Sequence, residues 1–265
     1  MQPRLGRDLA VRGKGGPFVW RPRLNHTLGL ALLTVFFLAG SAADAQKAPG
    51  AAGSDISGVW WASAYGPRIL PIGGGELPFT TGGRAQYEKN MAGLKAGTAE
   101  DTARTLCTPD GVPRILETPY PFEIVQTKGQ ITIVYEMNHT IRLVDMTKPL
   151  ADDDTLAVLP YYDGHSAGRW DGDTLIIETA GFNEKTFIDA TGAPHSDKMH
   201  IVEHLRRING GKQLEDVVTV TDPTNYTKPW SARFVYDHHP KIHLTDYVCG
   251  EPHRNLSGVK GLVGF

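Results

Sequence analysis

From Pro121 to Cys249 one pattern dominates: short runs in which apolar and polar residues alternate, separated by turns. Alternation with period two marks strands that bury one face, and many such strands in succession leave few folds open. PFEIVQT (121–127) and QITIVYEM (130–137) flank a Lys128-Gly129 turn, and HTIRLVDM (139–146) follows almost at once. TLIIETAGF (174–182) comes after Asp171-Gly172-Asp173. KMHIVEHLRRI (198–208) and QLEDVVTVTD (213–222) flank Asn209-Gly210-Gly211, and Pro240 separates SARFVYDHH (231–239) from KIHLTDYVC (241–249). Such turns join antiparallel neighbours. With Asp55 to Trp61 as a first strand, the predicted fold is all-β: a single antiparallel β-barrel of about ten strands with little helix. Closure is favoured because it removes exposed edges. Only residues 83–103 have a helical composition, and Cys107 to Pro121 reads as an extended connector.

Residues 27–40 are almost entirely apolar and follow Arg4, Arg7, Arg12, Lys14, Arg21 and Arg23. Ala43-Asp44-Ala45 supplies a small-x-small cleavage pattern, so residues 1–45 read as a secretory signal peptide. The run is too short to span a bilayer core of ~30 Å at ~1.5 Å per residue. Residues 46–54 are a small, polar leader, and 55–265 form the barrel domain. The expected location is exported, periplasmic or secreted. The whole chain has 27 Lys+Arg against 29 Asp+Glu, and the basic excess of the first 45 residues leaves with the signal. That balance argues against nucleic-acid partners and, with the short apolar run, against stable membrane insertion. In an exported protein the two cysteines, Cys107 and Cys249, are expected to form a disulfide.

Two resemblances bear on the fold. Ser57-Gly58-Val59-Trp60 resembles the G-x-W start of lipocalins and related calycin barrels, in which the tryptophan closes one end; this implies a lipocalin-like barrel. Pro119 to Glu123, Gly164 to Leu175, Pro194 to Asp197 and Tyr226 to Trp230 resemble a large family of exported bacterial proteins without an established activity. That likeness implies fold and location and leaves function open.

Two local motifs carry chemistry elsewhere. Gly164-His165-Ser166-Ala167-Gly168 matches the G-x-S-x-G elbow of serine hydrolases, which needs a strand before the serine and a helix after it. Here Arg169 to Asp173 leads into another strand, so a Ser166 hydrolase is an alternative rather than the main expectation. His200 to His204 matches H-x-x-E-H, but on a strand residues four apart are ~13 Å distant, too far to share an ion. A metal built from His139, His165, His195 and His200 with Glu136 or Glu203 is a minority possibility, and no cofactor is expected.

Alternation also predicts the interior: Ile131, Ile133, Tyr135, Met137 and His139; Met199, Ile201, Glu203 and Leu205; Leu214, Asp216, Val218 and Val220; Ala232, Phe234 and Tyr236; Ile242, Leu244, Asp246 and Val248. Each apolar face carries a polar group. A carboxylate desolvated among apolar walls titrates nearer neutral pH, which suits proton transfer, and a histidine can exchange that proton. The predicted site therefore has Glu203, His139 and His165 as catalytic groups. Tyr135, Arg169, Trp170, Tyr236 and Asp246 bind a small apolar or aromatic molecule. The expected chemistry is a cofactor-independent lyase or isomerase; a carrier without chemistry is the other alternative, and oligomeric state is open.

Overall fold

The structure is a computed structural model that describes residues 55–99, 101–247 and 249. The predicted signal peptide and leader, and Val248, lie outside the described residues. Nine strands close into a barrel in sequence order: β1 (Gly58–Ala62), β2 (Phe122–Gln126), β3 (Gln130–Tyr135), β4 (Ile141–Asp145), β5 (His165–Asp171), β6 (Thr174–Ala180), β7 (His200–Ile208), β8 (Gln213–Thr221) and β9 (Trp230–His238). β9 returns to β1 through Trp60↔His238 and Ala62↔Tyr236. The all-β barrel is thus as expected, with one correction to its direction. Every neighbouring pair is antiparallel except β4 and β5, which run parallel at Val144↔Ser166 and Asp145↔Ala167.

The expected last strand, 241–249, is not formed over its described residues. β8 covers one edge of β9, and β1 covers the other at Tyr236–His238, the end from which 241–249 would have to turn back, so a hairpin partner finds no free edge there. Asp246 consequently lies exposed on irregular chain and has no place in an interior site.

Along β3 as far as Tyr135, and along β7, β8 and β9, the alternation gives the faces correctly; Met137 lies beyond the end of β3 and is only half-buried. Ile131, Ile133, Tyr135, Ile201, Glu203, Leu205, Leu214, Asp216, Val218, Val220, Ala232, Phe234 and Tyr236 are all buried. Trp60 is fully buried at the start of β1; its indole N–H donates to the carbonyl of Ile56 (2.9 Å), and the Arg207 guanidinium lies 4.8 Å over its ring.

The helical composition after Gly83 corresponds to α1 (Thr81–Ala96), capped by the Thr80 hydroxyl accepting from Gly83 N and ended by Gly97 in the left-handed region. Two short helices follow, α2 (Thr102–Thr105) and α3 (Asp153–Ala157). Cys107 and Cys249 form a disulfide that joins the connector before β2 to the chain beyond β9. No helix among the described residues is long and apolar enough to cross a membrane.

The segments around Pro194 and Tyr226 do structural work. Asp222 accepts from the amide and hydroxyl of Ser196 (2.8 Å each) and from Asn225, while the Tyr226 hydroxyl donates to Pro194 O (2.8 Å). Tyr226 also packs against Phe79 and Trp230. Together they fasten the long β6–β7 connection to the turn before β9, and Trp230 is part of the core.

Candidate functional site

A parallel pair cannot be joined by a tight turn and needs a crossover. Residues 146–164, with α3 among them, provide it and pass back beside the outer face of β4. Because β5 begins only at His165, residues 141–143 of β4 have no strand partner on that side. Beside this gap lies a cleft of about 840 Å³, walled by Ile141, Leu143, Leu156 and Tyr161 and reaching Arg142, Asp163 and Ser166. Ile141 and Leu143 turn outward, 59% and 54% exposed, and give the cleft an apolar side.

Arg142 points the other way and anchors a polar network inside the barrel. It is 2% exposed, and its guanidinium makes a two-pronged ion pair with Glu203 on β7, including Nη1 to Oε1 at 2.9 Å. Its Nε donates to Ser166 Oγ (3.1 Å) and its Nη2 to Thr179 Oγ1 (2.7 Å). Asp216 on β8, 1% exposed, sits diagonally from Glu203 and is hydrogen-bonded to it. Burial, and then the Glu203 charge, raise the Asp216 carboxyl far above the usual aspartate range. One cation therefore serves two carboxyls, and the pair retains a proton to higher pH than exposed acids would.

This arrangement changes the role expected of Glu203. It is buried as predicted, but a carboxylate held on two sides by arginine is an anchored counter-ion rather than a free base. Tyr135 and Tyr236 are also inside: Tyr135 packs on Phe122, and the Tyr236 hydroxyl donates to Leu116 O (3.0 Å). Burial raises both phenols.

The remaining predicted residues separate. Asn138 and His139 adopt positive φ in a turn between β3 and β4, so the β3 register ends at Tyr135 and His139 is exposed. Arg169 points outward and pairs with Glu178 across the β5–β6 hairpin (2.5 Å). Trp170 is half-buried against the barrel core. His165 does line the cleft; its Nε2 bonds Leu159 O (2.8 Å) and its ring packs on Tyr161 (4.5 Å). Neither His139 nor His165 is hydrogen-bonded to Glu203, so the expected histidine–glutamate couple is not assembled.

Ser166 stands within β5, with strand rather than helix after it, and its hydroxyl is taken up by Thr179 (3.0 Å) and Arg142. Among the described residues no histidine is hydrogen-bonded to it, so they do not form the nucleophile–base pair that the hydrolase alternative requires. The glycines of its motif have a packing reason. Gly164 has φ +65°, and a Cβ there would come within 2.9 Å of Ala180 O; a Cβ on Gly168 would meet Val144 Cγ1 at 2.8 Å. They allow the strands beside the seam to approach.

Among the described residues no group of three or more His, Cys, Asp or Glu is arranged to hold a metal ion. His195 is buried against Thr186 Oγ1 (2.8 Å), where burial lowers its pKa, and His200 and His204 lie on β7 as a strand, as the spacing required.

The group that alternation missed is Asp163, two residues before β5. Its Oδ1 is buried without a hydrogen-bond partner, and burial pushes the carboxyl up to about 6 against the pull of Arg142, with Asp110 adding to the rise. An aspartate in that range exchanges a proton readily near neutral pH. Fold and site together define a class: a closed barrel with an Arg142–Glu203 ion pair inside and an unpartnered, half-buried acid, Asp163, in a cleft at the parallel seam. No protein-family model matches the sequence, and no curated protein matches it either.

Proposed function

We propose that the seam cleft binds a small, mostly apolar or aromatic molecule and that Asp163 moves a proton on it, in a cofactor-independent lyase or isomerase reaction. The observation that carries this reading is the unpartnered, desolvated carboxyl oxygen of Asp163 at the inner end of an apolar-walled cleft. Arg142 lies close enough to act on its charge and steadies the ionised form when the proton leaves. His165 and Tyr161 stand beside it, where a ring can stack and an imidazole can orient a polar substituent. The disulfide fits an oxidising compartment, and we place the protein outside the cytoplasm.

The apolar walls also suit a carrier, which would hold the same class of ligand without chemistry. The two readings differ in one experiment. Small aromatic ketones with exchangeable C–H bonds are incubated with the protein in deuterated water, and deuterium uptake is followed. The enzyme reading expects catalysed uptake that falls by about a hundredfold or more in Asp163→Asn, the usual size of a lost general acid or base. Binding without uptake favours the carrier, and uptake unchanged in the variant excludes Asp163 as the acid.

A further inference from the structure

A second cleft, independent of the seam, opens along the edge of β9. Ser63 N donates to Val235 O (2.8 Å) and His239 N to Val59 O (2.9 Å), so the odd-numbered residues of β9 turn their main-chain groups toward β1. The next contact along this edge is Ile72 N to Ser231 O (2.7 Å). Between them the chain from Ala64 to Pro71 leaves the strand, and among the described residues no main-chain partner reaches Arg233 from that side. The N–H and C=O of Arg233, and the N–H of Val235 beside them, therefore have no main-chain partner among the described residues.

The space left is a cleft of about 570 Å³, lined by residues 63–70, Glu117 and the β9 segment 232–235. Its acid is Glu117, whose Oε2 is buried with no hydrogen-bond partner. The surrounding charged and titratable groups are already engaged. Asp189 accepts from Ile69 N and Thr191, Tyr236 donates to Leu116 O, Arg233 pairs with Glu215 on the outer face, and Arg68 reaches the Tyr87 hydroxyl. None of these bonds goes to the free oxygen of Glu117.

We propose that this cleft binds a short peptide or amino-acid amide with a free amino terminus. The ammonium group meets the Glu117 carboxylate, and the first amide of the ligand pairs with the N–H and C=O of Arg233, as a short added strand would. The cleft volume suits two or three residues. In the empty cleft, burial and then Asp189 push the Glu117 carboxyl up to about 8, so it is largely protonated at pH 7. A bound ammonium ion favours the ionised form, and binding at pH 7 therefore releases a proton to the buffer.

The test is calorimetric titration of the intact, oxidised protein with alanyl-alanine amide and with its N-acetylated form. The free amine is expected to bind at least about tenfold more tightly, the scale of a lost hydrogen bond to a charged group. Its apparent enthalpy should change with the ionisation enthalpy of the buffer. Glu117→Gln, which keeps the shape and the neutral state of the empty cleft, should lose the preference for the free amine. Ala64→Trp, an exposed position on the cleft wall, should weaken both ligands. Equal binding of the two ligands, no binding of either at millimolar concentration, or a preference that survives Glu117→Gln would overturn the proposal.

Discussion

Arg142→Met is expected to destabilise the barrel by about 3–5 kcal/mol, because it strands the Glu203 carboxylate among apolar side chains with no cation in reach. The loss has a pH dependence whose sign follows from the same geometry. Arg142 is the one group pulling the Asp216 carboxyl down, so without it Asp216 binds its proton still more tightly in the folded barrel than in the unfolded chain. Stability is then retained at low pH and declines as pH rises through the usual carboxylate range and above it. Adding Glu203→Leu to the variant removes the stranded charge and should restore most of the loss, since a buried pair replaced by apolar groups costs little. Urea denaturation of the single and double variants at pH 5 and pH 8 measures all of this. A single variant that loses less than about 1 kcal/mol at pH 8 would mean that water reaches the network.

The second large effect concerns the disulfide. Cys107 and Cys249 are 142 residues apart, so the bond encloses nearly all of the barrel. On the chain-entropy account a loop of that length restricts the unfolded state by about 5 kcal/mol, close to the whole stability of an ordinary domain. Cys249→Ser is expected to lower the denaturant midpoint sharply, and reductant should do the same to the native protein while leaving the variant unmoved. Equal midpoints for the native protein and variant would show that the unfolded chain gains nothing from release.

The barrel was legible in the sequence wherever one face of a strand is apolar and the other wet. β7, β8 and β9 satisfy that condition along their length, and their inward residues fall where alternation puts them. β4 does not satisfy it. Ile141 and Leu143 alternate like a buried face, yet they turn outward to wall the cleft while Arg142 enters the barrel. Hydrophobic period reports amphipathicity and cannot distinguish a core face from a binding face. The signal available was indirect: two inward carboxyls, Glu203 and Asp216, on neighbouring strands require a cation between them. His139 was lost to backbone conformation, since Asn138 and His139 turn the chain at positive φ, which a pattern of side chains does not record. Asp163 and Glu117 lie outside the strands altogether, where period two says nothing. Their burial depends on the crossover beside β4 and on the loop that leaves β9, features of the closed barrel rather than of any local run.

The proposed proton transfer rests on Asp163, whose carboxyl carbon can be titrated in the labelled, oxidised protein by nuclear magnetic resonance, assigned with Asp163→Asn. A midpoint near 6 is the predicted result, with the amides of Leu143, Tyr161 and Ser166 responding over the same pH range. A midpoint at or below about 4, the value of an exposed aspartate, would contradict it, because Asp163 would then be a solvated carboxylate rather than the desolvated group on which the proposed proton transfer rests.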